Sequence, residues 1–422
     1  MTIDKKPPVV KTHCFDIIIS GGGLSGSLMA LSLADLNKSD GSLLSIAIVE
    51  AIKPAATEDK NKKPLFDDRV LALSHGSASY LQKMGVWQHL AHDACAIDKI
   101  DISDRGHYGK ARLEAHEHNV SALGYVIEMA LLGKAQLTEL ASKGNVQWFS
   151  PDTITDIDWQ ANTQDSKTKD KVAITLDSGQ SIQASLLLAC DGVNSPCRQL
   201  AGINSCRSDY QQVALIANVA TQKPHNNKAF ERFTEFGPLA MLPLSELNGA
   251  SRCSLVWTMS PEQSDNILAL PDHEFKQQLE LAFGSWLGAI TQVGKPDVYP
   301  LVLLQASQQT YHRMALIGNA SHTIHPIAGQ GFNLGLRDVQ QMRALIAKGL
   351  NEQRDIGSFS LLNEYAQKRR QDQKQVIELT DSLVTLFAND LLPLVMGRNI
   401  GLKVMNYLSP FKKTLVNKLM GY

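Results

Sequence analysis

The chain has 422 residues and a mass of 46.2 kDa, which is enough for two or three domains of about 150 residues each. Hydrophobic residues make up 44% and charged residues 20% of the sequence, so wholesale disorder and a repetitive fibrous structure are excluded. Lys and Arg number 41 against 42 Asp and Glu, and the net charge of −1 gives no general attraction for nucleic acid.

The N-terminal sequence lacks the pattern of a secretory signal. Lysines precede the first strand-like segment, but no apolar signal core comes after them, and no apolar run of about 18 residues occurs in the chain. Six cysteines are scattered without a C-x-x-C pair, which favours reduced thiols over disulfides or a zinc site. We therefore expect a cytoplasmic protein.

The first motif is a glycine-rich turn between a predicted strand (15–20) and a predicted helix (24–33), followed by a second strand (43–49) that ends on Glu50. Three glycines of the turn match G-x-G-x-x-G: Gly21, Gly23 and Gly26. Such glycines permit a tight turn, close approach of the backbone to a pyrophosphate, and close packing of helix on sheet. With Glu50 placed to accept a ribose hydroxyl, the unit predicts a dinucleotide site.

Hydrophobic periodicity changes in the middle of the chain. Between 213 and 259 apolar and polar residues alternate, for example over 230–236, and this pattern is typical of antiparallel strands. The flanking sequence is richer in helix, so we expect an antiparallel sheet domain inserted into a nucleotide-binding domain. From Leu361 onward the pattern predicts helix.

A second motif, D-G-x-x-S-x-x-R, comes after a buried-type strand predicted at 186–189. It begins at Asp191 and ends at Arg198. A charged pair around a turn can be a structural salt bridge only, so this string by itself does not indicate a binding site.

A third motif comes after the strand predicted at 314–317 and contains Asn319 and then His325, Gly329 and Gly331. The two glycines place backbone N–H groups at the start of a helix, where they can stabilise a developing anion. A reduced flavin carries such a group at N1 and C2=O.

These three motifs, in this order, resemble the single-component FAD-dependent aromatic-ring monooxygenases, of which para-hydroxybenzoate hydroxylase has the best-known fold. The resemblance covers nearly the whole chain. The strings at 67–74, 123–128 and 229–243 are similar to the ubiquinone-biosynthesis hydroxylase branch, and Gly318-Asn319-Ala320 is similar to its 2-octaprenyl-6-methoxyphenol hydroxylases.

The resemblance implies an α/β fold with a Rossmann-like FAD-binding domain of the para-hydroxybenzoate hydroxylase type, an inserted antiparallel β-sheet substrate domain and a C-terminal helical segment. The implied boundaries are 1–85, 121–200 and 310–348 for the FAD-binding domain, 86–120 and 201–309 for the substrate domain, and 349–422 for the helical region.

The resemblance also implies site residues. Those for the ADP part of FAD are Gly21, Gly23, Gly26 and Glu50. Those near the pyrophosphate, the ribityl chain or the approaching NAD(P)H are Arg69, Asp191, Arg198 and Asn319. Those lining the flavin ring are Gly329, Gln330, Gly331 and Asn333, with His325 and Pro326 as substrate-pocket candidates.

Two positions depart from the family pattern. Asn319 stands where relatives usually carry Asp, so its contact is a neutral hydrogen bond, weaker than a charge-assisted one. Met129 and Ala130 follow Glu128 where relatives often place an Arg, which removes the usual side chain for a ribityl contact.

The implied reaction is hydroxylation of the aromatic ring of a polyprenyl phenol through a flavin hydroperoxide, with NAD(P)H and O₂ consumed. The implied substrate is 2-octaprenyl-6-methoxyphenol and the product 2-octaprenyl-6-methoxy-1,4-benzoquinol. The flavin carries the chemistry, so no catalytic side chain is predicted. Two alternatives stay open: a hydroxylase for another ring position of the same precursor, and a catalytically silent flavoprotein scaffold. The implied partners are other ubiquinone-biosynthesis proteins, and a homo-oligomer is compatible with the sequence.

Other chemistries have weaker support. His322 and His325 lie three residues apart without a third ligand nearby in sequence, so we predict no metal site. Ser195 lacks the G-x-S-x-G elbow of a hydrolase. The W-x-W-x-I-P signature of a flavin halogenase is absent.

The C-terminal sequence combines cations with apolar residues. After Asp390 it has five cations and no acid: Arg398, Lys403, Lys412, Lys413 and Lys418. Two interpretations stay open, a helical pair packed on the core and reversible peripheral docking on the inner membrane, where a polyprenyl phenol is stored.

Overall fold

The computed structural model describes residues 13–54, 69–104, 110–161, 171–324, 329–387 and 420. Within these residues the chain forms three β-sheets and eight α-helices. The helices are α1 (Leu24–Ala34), α2 (His75–Lys83), α3 (Met129–Ala141), α4 (Pro196–Leu200), α5 (Pro261–Leu268), α6 (Asp272–Phe283), α7 (Gln330–Asn351) and α8 (Phe359–Phe387).

The first sheet has eight strands and a parallel centre. Its strands are β1 (His13–Ser20), β2 (Ile46–Val49), β8 (Val146–Phe149), β9 (Ile154–Ala161), β10 (Lys171–Leu176), β11 (Ser181–Ala189), β18 (Thr310–Tyr311) and β19 (Met314–Leu316). The order is β18-β19-β11-β1-β2-β8, and β10 pairs with both β11 and β9. Strands β19, β11, β1, β2 and β8 run parallel. Residues 17–19 of β1 are fully buried, as expected for a strand covered on both faces.

The second sheet has nine strands. They are β5 (Lys99–Asp104), β6 (Lys110–Glu114), β12 (Ser205–Thr221), β13 (Lys228–Phe233), β14 (Pro238–Leu247), β15 (Ala250–Met259), β16 (Ile290–Val293), β17 (Asp297–Ala306) and β20 (His322–Thr323). The order is β20-β17-β12-β15-β14-β13-β5-β6, with β16 also on β12. One face packs on α6 in a core that includes Trp257, Phe275 and Phe283.

The third sheet, β3 (Val70–Ser74), β7 (Gly124–Glu128) and β4 (Cys95–Ile97), lies against the other face of the nine-stranded sheet. Ile97 and Val126 of the small sheet pack with Ala229 and Leu244 of the large one. Strands β3 and β7 pair antiparallel from Val70–Glu128 to Ser74–Gly124, so two of the strings that resemble ubiquinone-biosynthesis hydroxylases are neighbours in space.

The predicted α/β fold with an antiparallel sheet in its middle is confirmed, and two details differ. The second strand begins at Ile46, because Leu43 forms an isolated bridge with Asn37 and is 45% exposed. The alternation predicted over 230–236 stops at Phe233. There the Thr234 hydroxyl donates to the Gly237 carbonyl (2.7 Å) and makes a turn. The domain boundaries stay a prediction.

The C-terminal segment is described in part. Helix α8 begins at Phe359, close to the predicted start of helix, and residues 391–419 with their cations lie outside the described residues. Met420 is buried with Leu113 and Leu123, and its carbonyl accepts the N–H of Gly76 (2.8 Å). No helix in the described part of the chain has the length and apolar character needed to span a membrane.

Candidate cofactor site

Four turns meet at the carboxyl edge of the parallel strands. Strands β2, β1, β11 and β19 are parallel neighbours, so the residues just beyond them lie side by side: Glu50, Gly21, Asp191 and Gly318. Backbone hydrogen bonds continue past the strand ends, from Gly21 N to Val49 O (2.8 Å) and from Ile317 N to Ala189 O (2.9 Å). Ligands of open α/β sheets bind at this edge, and all three sequence motifs contribute to it.

The glycine-rich turn is packed tightly at two of its three predicted positions. Gly21 has φ +91°, and a Cβ there would lie 2.6 Å from the Cys190 carbonyl oxygen. A Cβ on Gly26 would lie 1.8 Å from the Gly21 oxygen, so α1 approaches the turn more closely than any side chain allows. A Cβ on Gly23 would have no heavy atom within 4 Å. The turn therefore packs against the rest of the protein at Gly21 and Gly26 and has open space beside Gly23.

The open side carries the N-terminus of α1. Gly23 is the N-cap, no side chain caps it, and the first turn has no acidic residue, so the N–H groups of this turn are available to an anion. Beside it, Glu50 is 9% exposed. Its carboxylate accepts the N–H of Gly22 (2.6 Å) and the N–H of Ile52 (2.9 Å), which holds the acid in place while leaving lone pairs for a further donor.

Asp191 is a partly buried acid with one unsatisfied oxygen. Oδ2 accepts the N–H of Cys197 (3.0 Å) and the hydroxyl of Ser20 (3.4 Å). Oδ1 is buried and has no hydrogen-bond partner among the described residues. Burial raises the pKa of this carboxyl, more than its hydrogen bonds lower it. An unsatisfied buried oxygen is costly, and a hydroxyl or amide of a bound ligand would satisfy it.

Arg198 makes contacts with backbone carbonyls. The residue is 2% exposed, and its guanidinium donates to Val193 O and Ala320 O, both at 2.7 Å. It therefore ties the turn after β11 to the turn after β19. The contact with the approaching cofactors that the resemblance implies stays a prediction.

The turn at Gly318 lies against both α1 and α7. A Cβ on Gly318 (φ +60°) would lie 3.0 Å from Ser25 Oγ, and a Cβ on Gly335 would lie 3.2 Å from the Gly318 Cα. This packing places exposed Asn319 at the edge where α1 begins.

A buried polar cluster anchors that turn, and sequence reasoning did not find it. Asp338 of α7 is fully buried. It accepts the N–H of Gly318 (2.8 Å) and the Nε–H of Arg369 from α8 (2.5 Å). His322, 1% exposed, lies beside it and contacts Gln373 (3.0 Å), and burial lowers the His322 pKa. The sequence does contain a signal for this cluster, because Asp338 is a charged residue on the otherwise apolar stripe of α7.

The start of α7 carries the third motif. Gly329 is its N-cap with φ +61°, has no side-chain cap, and a Cβ there would lie 2.8 Å from the Ala72 Cβ. A Cβ on Gly331 would have no heavy atom within 4 Å. This helix therefore offers a second open N-terminus. Gln330, 6% exposed, comes directly after Gly329, while His325 and Pro326 lie outside the described residues.

Asn333 uses its whole amide within the protein. Nδ2 donates to Ala72 O and to Gly329 O, both at 2.8 Å. Oδ1 accepts from Ser74 N (2.9 Å) and Ser77 Oγ (2.7 Å). The structure thus places Asn333 as a link between β3 and the start of α7, and its predicted contact with the flavin ring stays a prediction.

Arg69 precedes β3 and reaches the nine-stranded sheet. Its guanidinium carbon lies 4.8 Å from the centre of the Tyr299 ring, a cation–π distance. Arg69 therefore contacts the face of the large sheet against which the small sheet packs.

These residues fit FAD. Two open helix N-termini are matched to anionic or electron-rich groups, the Gly23 side has room for a pyrophosphate, and Asp191 has an oxygen that needs a donor. In the described part of the chain no group of three His, Cys, Asp or Glu could hold a metal ion.

Comparisons with known proteins agree with this fit. A family model described as "FAD binding domain" matches residues 15–380. The ubiquinone hydroxylase UbiL of Rhodospirillum rubrum is 32% identical over 411 residues, which are 96% of this chain and 89% of that protein. The mitochondrial ubiquinone biosynthesis monooxygenase COQ6 of Mus musculus is 30% identical over 441 residues, covering 95% of this chain and 90% of that one.

A solved structure shows the same fold. The p-nitrophenol 4-monooxygenase PnpA of Pseudomonas putida superposes with a TM-score of 0.74 at 16% identity, over 97% of this chain and 99% of its own. The chain belongs to the FAD-binding-domain family of flavoprotein monooxygenases, and FAD is its cofactor. The predicted family and cofactor are confirmed.

The two glycines of the first motif separate folding from cofactor binding. Gly26→Ala should lower the free energy of unfolding by about 3 kcal/mol, because the added Cβ would collide with the Gly21 oxygen. The variant should also lose FAD, since the turn would be displaced. Gly23→Val should leave the FAD-free protein as stable as the parent but weaken FAD binding at least about tenfold. Urea unfolding and flavin absorbance per chain measure both. Gly144→Val, at an exposed site with open space around the Cβ, is the control. Full flavin content in Gly23→Val would contradict the assignment.

The buried cluster predicts a second effect. Asp338→Ala should lower the free energy of unfolding by about 3 kcal/mol, because the buried Arg369 loses a partner, and should weaken FAD binding because Gly318 loses its acceptor. Lys374→Ala, which removes an exposed pair with Glu378 on the same helix, should change stability by less than about 1 kcal/mol. Equal urea midpoints for the two variants would show that the cluster does not hold the turn.

Proposed function

We propose that this chain is an NAD(P)H-consuming, FAD-dependent monooxygenase that hydroxylates the aromatic ring of a polyprenyl phenol in ubiquinone biosynthesis. The proposed reaction converts 2-octaprenyl-6-methoxyphenol to 2-octaprenyl-6-methoxy-1,4-benzoquinol. The supporting observation is that the similarity to the two proteins named for ubiquinone extends over the cofactor edge and the large sheet together. A conserved cofactor domain joined to an unrelated sheet would not support a substrate class.

The chain's residues bind and orient in this proposal. The N-terminus of α1 holds the pyrophosphate, Glu50 accepts a ribose hydroxyl, and Asp191 accepts a donor through its unsatisfied Oδ1. The uncapped start of α7 directs N–H groups at the electron-rich edge of the ring system. Bound FAD supplies the transfer of electrons from NAD(P)H to O₂.

The nine-stranded sheet supports an apolar substrate. The face turned toward the small sheet carries Ile100, Ala240, Leu242 and Val256, as the strand register and core contacts indicate. Arg69 lies at one end of this face, over Tyr299. A hydrophobic phenol would be desolvated there, which also excludes water from the reaction.

NAD(P)H has no dinucleotide fingerprint of its own in the sequence, so we propose that it approaches through the groove shared with FAD. Asp191, Arg198 and Arg69 are the proposed contacts along this route. The guanidinium of Arg69 is the proposed contact for the nicotinamide cofactor's phosphates.

The proposal includes association with other ubiquinone-biosynthesis proteins, a cytoplasmic location and peripheral contact with the inner membrane. The basic, apolar segment 391–419 is the proposed membrane contact, and each surface cation would add about 1 kcal/mol on an anionic bilayer. Met420 is excluded from that contact because it is buried.

The function predicts oxygen transfer to a defined ring position. Purified protein with FAD, NADH or NADPH, and a short-chain 2-prenyl-6-methoxyphenol should oxidise the nicotinamide and give a quinol that contains one oxygen from isotopically heavy O₂. Mass spectrometry and NMR of the product determine the incorporation and the position.

Two other results would favour one of the alternative functions. Heavy oxygen at a different carbon would indicate a hydroxylase for another ring position. Full FAD occupancy without phenol-dependent NAD(P)H oxidation, for phenols differing in ring substitution, would contradict the enzyme and favour a flavoprotein scaffold. Gly23→Val, depleted of FAD, is the control for background oxidation.

A further inference from the structure

A carboxyl group in the large sheet has no role in the site described above. Glu231 lies on β13, between Ile102 of β5 and Ala240 of β14 in the strand register. Ala240 in turn pairs with Val256 of β15, and Val256 with Ile216 of β12. Paired residues share a face of a sheet, so Glu231 lies in one row with these four apolar residues, and the row continues from Ile216 to Asp297.

This row is on the face of the large sheet that packs against the small sheet. Ala229, two residues before Glu231, packs with Val126 of the small sheet. At the other side, Ile216 is two residues from Ala214, which pairs with Tyr299. Arg69 covers the Tyr299 ring. Glu231 therefore belongs to the face bounded by the small sheet and by Arg69.

The opposite face is occupied by a different set of groups. Phe230 packs with Phe283 and Trp286, and the Arg232 guanidinium lies 5.5 Å from the centre of the Trp286 ring. Because neighbouring residues of a strand point to opposite faces, the ring of Phe230 and the guanidinium of Arg232 lie on the opposite side of the sheet from the Glu231 carboxyl.

Glu231 is surrounded by protein and has no polar partner in the described part of the chain. Its side chain is only partly accessible, and burial raises the pKa of the carboxyl to about 7. An unpaired carboxyl in an apolar wall is costly to the fold, so a bound molecule that donates a hydrogen bond is its natural partner.

The charged groups of this face lie away from Glu231 or already have partners. Strand β5 contributes Asp104, two residues beyond Ile102, and β17 contributes Asp297 at the far end of the row. Arg252 of β15 lies beside Glu128 of β7 (3.7 Å). Arg69 is on Tyr299. Strand β14 contributes no charged residue to this face from Pro238 to Leu244.

We propose that Glu231 is a catalytic residue that accepts the hydroxyl proton of the phenol substrate; this rests on the proposed function. The phenolic O–H bond breaks as the carboxylate oxygen takes the proton, and the electron pair stays on the phenolic oxygen. That oxygen then donates electron density into the ring carbon that is hydroxylated. That carbon forms its new bond to one oxygen atom of O₂, while the electrons of NAD(P)H reduce the other oxygen atom to water. As the ring regains aromaticity, the carbon releases its hydrogen to water as a proton, and the proton held by Glu231 returns to the phenolic oxygen, so the carboxyl consumes no net proton.

The surroundings of Glu231 raise its pKa toward that of a phenol, which makes the carboxylate a better proton acceptor. A phenol has a pKa of about 10 and an ordinary Glu about 4.3, and a base nearer to the phenol in pKa forms the stronger hydrogen bond and transfers the proton more readily. Below about pH 7 the Glu231 carboxyl is protonated and cannot accept. Substrate turnover should therefore rise with pH through about 7 and level off above it.

The test compares Glu231→Gln with Glu246→Gln, which alters an exposed carboxyl on the adjacent strand β14. With short-chain 2-prenyl-6-methoxyphenol, Glu231→Gln should lower kcat/KM about 10²–10⁴-fold above pH 7 and abolish the rise through pH 7. Its FAD content should match the parent, and NAD(P)H oxidation should continue with release of hydrogen peroxide in place of product. Glu246→Gln should behave as the parent.

A second measurement separates failure of this inference from failure of the proposed function. Binding of the same phenol is monitored by the change in flavin absorbance across the pH range. A parent enzyme that hydroxylates the phenol with a pH profile unchanged in Glu231→Gln overturns the inference and leaves the function intact. A parent that binds without hydroxylating, with a pH dependence that Glu231→Gln removes, supports contact with Glu231 and contradicts the function. Absence of any phenol binding overturns both.

Discussion

The close approach of α1 to the turn at Gly21 is the constraint on which the cofactor edge depends. With the Gly26 Cβ position only 1.8 Å from the Gly21 oxygen, the helix N-terminus is held at the carboxyl end of β1, where its N–H groups face open space. Gly318 packs on Ser25 of the same helix, and Gly335 packs on Gly318. Three segments far apart in sequence thus pack closely together, and a side chain at any of these glycines would separate the turns of the predicted FAD site.

A buried ion pair between Asp338 and Arg369 supports this arrangement. Asp338 connects the Gly318 turn to Arg369 of α8, so the long C-terminal helix stabilises a turn of the predicted cofactor site. The two sheets contribute different surfaces. The parallel sheet presents polar turns at one edge, and the antiparallel sheet presents a largely apolar face that carries the carboxyl of Glu231. The proposed function, with a flavin at the edge and a hydrophobic phenol on the face, requires these two surfaces to face each other.

Local patterns explain what the sequence could predict. The turn at Gly21, the strand before it and the helix after it depend on neighbours in the chain, and the antiparallel strands arise from alternation, so both were found. The Asp338–Arg369 pair spans 31 residues and joins two helices whose packing no local pattern specifies. The resemblance predicts Asn333 at the flavin, and no local pattern could show that its amide also bonds to segments about 260 residues away. Alternation placed Glu231 opposite Phe230, yet only the strand register shows which surface it meets.

The central claim is that the cofactor edge and the inner face of the large sheet form one active site. A crystal structure of the protein with FAD and a short-chain 2-prenyl-6-methoxyphenol tests it most directly. The account predicts the pyrophosphate at the N-terminus of α1 and the phenolic oxygen within hydrogen-bonding distance, about 2.6–3.2 Å, of the Glu231 carboxyl. A pyrophosphate elsewhere, or a phenol bound away from this face with Glu231 still unpartnered, would contradict it.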